Sequence, residues 1–210
     1  EDDEGSVSTV ATDTIKLDTV EPHYVAISAT PNPAMDGTEV TIVFTALEEL
    51  TANPSVEVDG ETANFDSKED WTYTYTYTID EDDVSEGRIY IEIDGTDLAG
   101  NNGVDDSATL VTDFTKPTIN MFEPSGLVNS LSVNLKVNTS EDATCRYDTD
   151  DVSYDNMDGQ MNGEENIHEK TVNVDEATYT YYVACIDLAG NEIADNTEIT
   201  FTADDSAPEI

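Results

Sequence analysis

From Trp71 to Ile79 the chain reads Trp71, Tyr73, Tyr75, Tyr77 and Ile79 in strict alternation with Thr72, Thr74, Thr76 and Thr78. Successive side chains of a strand point to opposite faces, so a period of two places every ring on one side and every threonine on the other. The stretch is a strand with one apolar face. Working outward, Val40, Ile42 and Phe44 alternate with Thr41, Val43 and Thr45, and Ile89, Ile91 and Ile93 repeat the period. Tyr24 to Thr30 is an earlier strand stopped by Pro31-Asn32-Pro33 and Asp36-Gly37; Val56 and Val58 run into Asp59-Gly60, a pair that tolerates positive φ and marks a hairpin. Leu110 marks a closing strand, and nothing in this half has helical spacing.

The plan then repeats. Asp97-Leu98-Ala99-Gly100-Asn101 returns as Asp187-Leu188-Ala189-Gly190-Asn191, a period of 187 − 97 = 90 residues. An Asp followed four residues later by Pro occurs at Asp18/Pro22, Asp113/Pro117 and Asp204/Pro208. A fixed period of this size marks serially joined domains. The second half opens with Ile119 to Phe122, alternates at Leu131, Val133, Leu135 and Val137, and passes Cys145 and Tyr147. Residues 148–166 are polar and read as loop; Val172 and Val174 precede Tyr179, Tyr181, Val183 and Cys185, which share a strand face, and Ile199 and Phe201 close the unit. About seven short strands per repeat, each with one apolar face, is the pattern of an antiparallel sandwich. The expected fold is all-β, two tandem antiparallel immunoglobulin-like β-sandwiches at 19–113 and 114–204. Residues 1–18 read as the last strand of a preceding domain or a strand donated to a neighbour, and 205–210 as a linker and the start of a following domain. A cut from a longer array is favoured over strand donation, because the far end is truncated as well.

Charge sets the surroundings. Forty-eight acidic residues against 7 basic ones give a formal charge of −41. Such a surface repels nucleic acid and anionic lipid and attracts inorganic cations. The acidic residues are spread along the chain, as on folded acidic domains, and their number suits high salt, where repulsion is screened. Cys145 and Cys185 both fall in the second repeat, without Cys/His spacing for zinc. An even pair in one domain reads as a disulfide made in an oxidising compartment, the alternative being two buried thiols. The chain begins at Glu1 without a leader, and no run approaches the ~18 apolar residues of a membrane span. It reads as a mature secreted part or a fragment, with no direct membrane insertion.

The strand order, the Asp-x-Ala-Gly-Asn turn before the last strand and the Asp-to-Pro junction resemble tandem immunoglobulin-like or fibronectin-III-like domains of bacterial and archaeal cell-surface proteins. The stretch Ala143-Thr144-Cys145-Arg146-Tyr147, with Tyr179 to Cys185, is similar to a cysteine-bearing subgroup; Gly95 stands where that subgroup would place the match of Cys185. The resemblance implies an extracellular, cell-surface chain whose partners are neighbouring domains or subunits of the same array. A structural spacer of an S-layer or stalk is the favoured function; an adhesin module binding a glycan or a protein partner is the alternative.

Candidate sites follow from the same residues. Asp97 and Asp187 stand before a Gly in a hairpin, where a carboxylate caps backbone N–H groups and Gly100 or Gly190 takes positive φ. The sharper reading has them join Asp113 or Asp204 at a domain junction and bind calcium through oxygen ligands. The acidic runs within 148–159 lack EF-hand spacing. The rings of Trp71, Tyr73, Tyr75 and Tyr77 form either a buried strand face or a sugar-stacking surface. His23 and His168 have no partner at ligand spacing, and no nucleophile stands in a recognisable context, so an enzyme is not expected. Asn138-Thr139-Ser140 is a glycosylation sequon.

Overall fold

The structure, a computed structural model, describes residues 17–206. Expectations for residues 1–16 and 207–210, Ile15 and Pro208 among them, lie outside these. The first half forms β1 (Tyr24–Thr30), β2 (Glu39–Ala46), β3 (Ser55–Val58), β4 (Glu61–Thr62), β5 (Asn64–Glu69), β6 (Thr72–Thr78), β7 (Gly87–Thr96) and β8 (Asn102–Thr112). The second forms β9 (Ile119–Glu123), β10 (Gly126–Val128), β11 (Ser132–Thr139), β12 (Ala143–Asp148), β13 (Gly159–Gln160), β14 (Asn162–Glu164), β15 (Ile167–Asn173), β16 (Ala177–Asp187) and β17 (Thr197–Ala203). Helix among the described residues is confined to a 3-10 turn at Tyr154–Asn156. Among the described residues no helix is long and apolar enough to cross a membrane.

Four sheets pair around two cores. β1-β2-β6-β5 faces β4-β3-β7-β8, and β14-β15-β11-β9 faces β10-β17-β16-β12-β13. In the first unit the inner strands β2 and β6 align Val40 with Tyr77, Ile42 with Tyr75 and Phe44 with Tyr73, and these meet Ile89, Ile91 and Ile93 of β7 from the opposite sheet. Phe44 stacks on Tyr73 and Tyr75 at centroid distances of 5.5 and 5.9 Å. Burying each large apolar side chain stabilises the fold by about 1.5–3 kcal/mol. The alternation starting at Trp71 is therefore what closes this core. In the second unit Val133, Leu135 and Val137 of β11 face Val183 and Cys185 of β16 and Ile199 and Phe201 of β17; Tyr181 stacks on Phe201 at 6.2 Å.

Asp59 and Gly60 both take positive φ, 52° and 91°, and turn β3 into β4 as their sequence requires. The structure corrects the loop expected over 148–166: it holds the 3-10 turn and the short strands β13 and β14, the first pairing with β12 and the second with β15. It also adds two strands that the alternation did not mark. β5 is exposed throughout and pairs with β6 as a sheet edge, and β10 runs parallel to β17. The other long edge, β8, is interrupted between the partners of Ile91 and Ile93, at Asp106 and Ser107. An irregular edge carrying charge resists pairing with another chain.

Candidate functional site: the acidic joints

The repeated pentapeptides form the turns after β7 and β16. In the first, Asp97 N donates to Asn101 O at 3.0 Å, and Asp97 Oδ1 accepts the backbone N–H groups of Ala99 and Asn101, both at 2.8 Å. In the second, Asp187 Oδ1 accepts from the backbone of Ala189, Gly190 and Asn191 at 2.8–2.9 Å. Gly100 and Gly190 lie at φ 94° and 108°, where an L side chain is strained. In both turns the Asn Nδ2 donates to the Asp Oδ2 at 2.8 Å. That side-chain bond, ahead of the backbone bonds, holds the Asp97 carboxyl below the usual carboxylate range. The group is only 1% exposed, so the turn keeps a buried charge by giving it three donors.

Each turn also grips the incoming chain. Asn101 Nδ2 reaches the carbonyl of Asp18 at 3.4 Å, and Asn191 Nδ2 reaches that of Asp113 at 2.9 Å. Asp113 is held from the other side as well, its N–H donating to Ala34 O at 3.0 Å. Phe114 N and Thr115 Oγ1 donate to Glu86, while Thr118 N donates to Ser140 Oγ. The segment between β8 and β9 is thus bonded to both units. Pro22 and Pro117 are buried four residues beyond their Asp partners, seating the chain into the unit that follows.

This arrangement gathers carboxylates. Asp18, Glu48 and Asp97 each bring an oxygen within 4.8 Å of the others, and Asp113, Glu141 and Asp187 do the same. The two triads are one construction used twice: Glu48 lies two residues beyond the end of β2 at Ala46, and Glu141 two beyond the end of β11 at Thr139. Burial raises the Asp113 carboxyl above its ordinary range, and the Asp187 and Glu86 charges add to the effect. Glu141 is raised by burial, then by Asp113 and Asp187. A raised carboxyl costs stability at neutral pH, because the native state binds its proton more tightly than the unfolded chain does. A hard divalent cation among these oxygens would remove that cost. Asp187 Oδ1 is filled by three donors, but Oδ2 has only the one from Asn191 and retains lone-pair room.

The expected ligand set is thereby rearranged. Asp113 and Asp187 do meet, but Asp97 meets Asp18, the Asp that precedes its own unit, and not Asp113. Asp204 joins neither triad among the described residues; its carboxylate caps Ser206, whose hydroxyl bond holds it below the usual range. Asp18, Glu48 and Glu141 were missed. The first of the Asp-to-Pro pairs pointed to Asp18, and the common position two residues past matched strands could have found the glutamates.

Other candidates separate clearly. Tyr73, Tyr75 and Tyr77 are buried, which corrects the recognition-surface reading for these rings; Trp71, in the turn before β6, is 47% exposed. Cys145 and Cys185 are bonded, directly opposite each other on neighbouring strands with Cα atoms 4.1 Å apart. The first unit fills the matching place differently. A Cβ at Gly95 would lie 2.5 Å from the Tyr24 hydroxyl, which donates to Gly103 O at 3.4 Å. Burial pushes the Tyr24 phenol up to about 12.

No family model matches the chain, and no curated protein matches it in sequence. Its shape does have solved counterparts. The I67–I69 fragment of the titin I-band superposes with a TM-score of 0.50 at 14% identity, over 89% of this chain and 66% of that fragment. The fold is immunoglobulin-like. The chain is also similar to the fibronectin(III)-like modules of Clostridium thermocellum CbhA, with a TM-score of 0.46 at 12% identity over 84% of this chain and 93% of that one. A bacterial ice-binding adhesin of 1.5 MDa gives 0.44 at 16% identity, over 90% and 67%.

Proposed function

We propose that the chain is a structural spacer of an extracellular prokaryotic surface array, an S-layer or a stalk, whose units at 19–113 and 114–204 are joined through cation-bridged ends. Calcium is the ion this reading assigns to the triads. One observation carries it: the same three-carboxylate constellation recurs at the start of both units, built each time from the incoming linker, the residue two past the matched strand β2 or β11, and the repeated turn. Oxygen-only ligands of high charge suit a hard cation. Three anionic groups drawn from three segments repel one another, and a cation between them would add to the hydrogen bonds that already hold linker and unit together. Asp204, the third Asp of the junction motif, would serve the joint beyond the second unit in the same way. Of the four rings offered for an adhesive surface, only Trp71 is accessible, which favours the spacer over the adhesin.

Calorimetric titration with calcium tests the assignment. Two sites per chain are expected, one for each triad. Glu48→Gln and Glu141→Gln, which leave the Asp–Asn turns intact, should each remove one site and together remove both. Undiminished calcium uptake by the double variant would refute the triads as the binding sites.

A further inference from the structure

Asn138-Thr139-Ser140 is the sole sequon in the sequence, since Asn53-Pro54-Ser55 is barred by its central proline. Asn138 lies on β11, an inner strand of its sheet, on the face turned away from the core residues Val137 and Thr139. Its direct cross-strand neighbours are Met121 on β9 and Ile167 on β15. Residues so paired share a face, with Cβ atoms about 4.5–5.5 Å apart. Both neighbours are apolar and stand 44% and 46% exposed on a chain of charge −41. The other asparagine of this face of β11 is occupied differently. Asn134 donates to Glu169 Oε2 at 3.1 Å and accepts from Thr171 Oγ1 at 3.4 Å. The two direct neighbours of Asn138 offer its carboxamide no polar side chain, and present apolar ones to solvent.

We infer that Asn138 is an N-glycosylation site and that the attached sugar lies across Met121 and Ile167. The amide Nδ2 forms a bond to the anomeric carbon of an oligosaccharide carried on a polyprenyl phosphate or pyrophosphate. The bond from that carbon to the phosphate oxygen breaks, the lipid phosphate leaves with the electron pair, and Nδ2 gives up one proton. Transfer precedes folding. In the folded chain β11 is flanked on both sides, and Ser140 Oγ is engaged by Thr118 N at 3.0 Å. After folding, the apolar ring face of the first sugar covers the two exposed side chains, which an acidic protein surface leaves without a partner of their own kind.

The test is secretion of the full chain from a host that carries an oligosaccharyltransferase, followed by intact-mass and peptide analysis. One glycan is expected, on Asn138, retained in Ser140→Thr and lost in both Asn138→Gln and Ser140→Ala. Two ways of removing the site guard against a folding defect in either. Hydroxyl-radical labelling should then oxidise Met121 several-fold less in the glycosylated chain than in Asn138→Gln. Secreted, folded chain with a bare Asn138 overturns the site; a glycan that leaves Met121 labelling unchanged overturns the covering.

Discussion

Asn191 Nδ2 donates to the main-chain carbonyl of Asp113 at 2.9 Å while also donating to Asp187 Oδ2 at 2.8 Å. One carboxamide therefore ties the repeated turn after β16 to the residue that follows β8. Asn191→Ala should destabilise the second unit by about 1.5–3 kcal/mol, the range for hydrogen bonds to charged groups. Asn101→Ala should cost the first unit less, because its bond to the Asp18 carbonyl is long at 3.4 Å. Urea unfolding of both variants gives the comparison; equal losses would mean that the linker bond contributes nothing.

The two cores make the disulfide a local device. Cys145–Cys185 closes a loop with a sequence separation of 40. On the chain-entropy model such a link is worth about 4 kcal/mol. In a calorimetric scan with reductant, the transition of the second unit should fall sharply while that of the first stays in place. A uniform shift of both would contradict independent cores.

His168 sets a pH dependence. It is 2% exposed on β15, and its Nε2 is without a hydrogen-bond partner among the described residues. Burial lowers its pKa from 6.5, against a backbone hydrogen bond to Glu165 that acts the other way. The unfolded chain therefore binds the proton more tightly than the native one. Its contribution to stability is complete above about pH 6.5 and is lost as the pH falls toward the lower folded value. Denaturant midpoints of the second unit should decline from pH 7 downward, and His168→Leu should flatten that slope. An unchanged slope in the variant would assign the effect to other groups.

Gly95 and Tyr24 form a matched pair. A Cβ at residue 95 would also approach Pro54 Cβ to 3.1 Å and Leu50 Cδ1 to 3.2 Å, so Gly95→Ala should cost about 1–3 kcal/mol by overpacking. Tyr24→Phe removes the hydroxyl that stands in the way. In a double-mutant cycle the pair should cost less than the sum of the single variants, and additivity would show that the two do not share the space.

The alternating runs carried most of the architecture. Trp71 to Ile79, Val40 to Phe44 and Leu131 to Val137 announce faces because one side of each strand is buried, and burial is what selects apolar residues at period two. β5 escaped for the opposite reason: Asn64–Glu69 is exposed on every residue, so its pairing with β6 left no pattern in composition. β13 and β14 are short pieces held by backbone register inside a polar stretch. Of the acidic joints, the repeated Asp-Leu-Ala-Gly-Asn and the Asp-to-Pro spacing exposed Asp97, Asp113 and Asp187. Glu48 and Glu141 were hidden among 48 acidic residues, since only the fold brings the loops after β2 and β11 to the repeated turns. Trp71 shows the limit of a pattern at its end: it continues the alternation of the tyrosines, yet it sits in the turn and outside the core.

Thermal unfolding of the chain in chelator, in millimolar calcium, in magnesium of equal ionic strength and in molar sodium chloride bears most directly on cation-bridged joints. A ligand at tenfold its dissociation constant adds about 1.4 kcal/mol per site. Calcium should raise the midpoint well above magnesium, and Glu48→Gln with Glu141→Gln should abolish the difference. Stabilisation by molar salt alone, with calcium and magnesium acting alike, would contradict the account and leave the acidic residues as a screened surface.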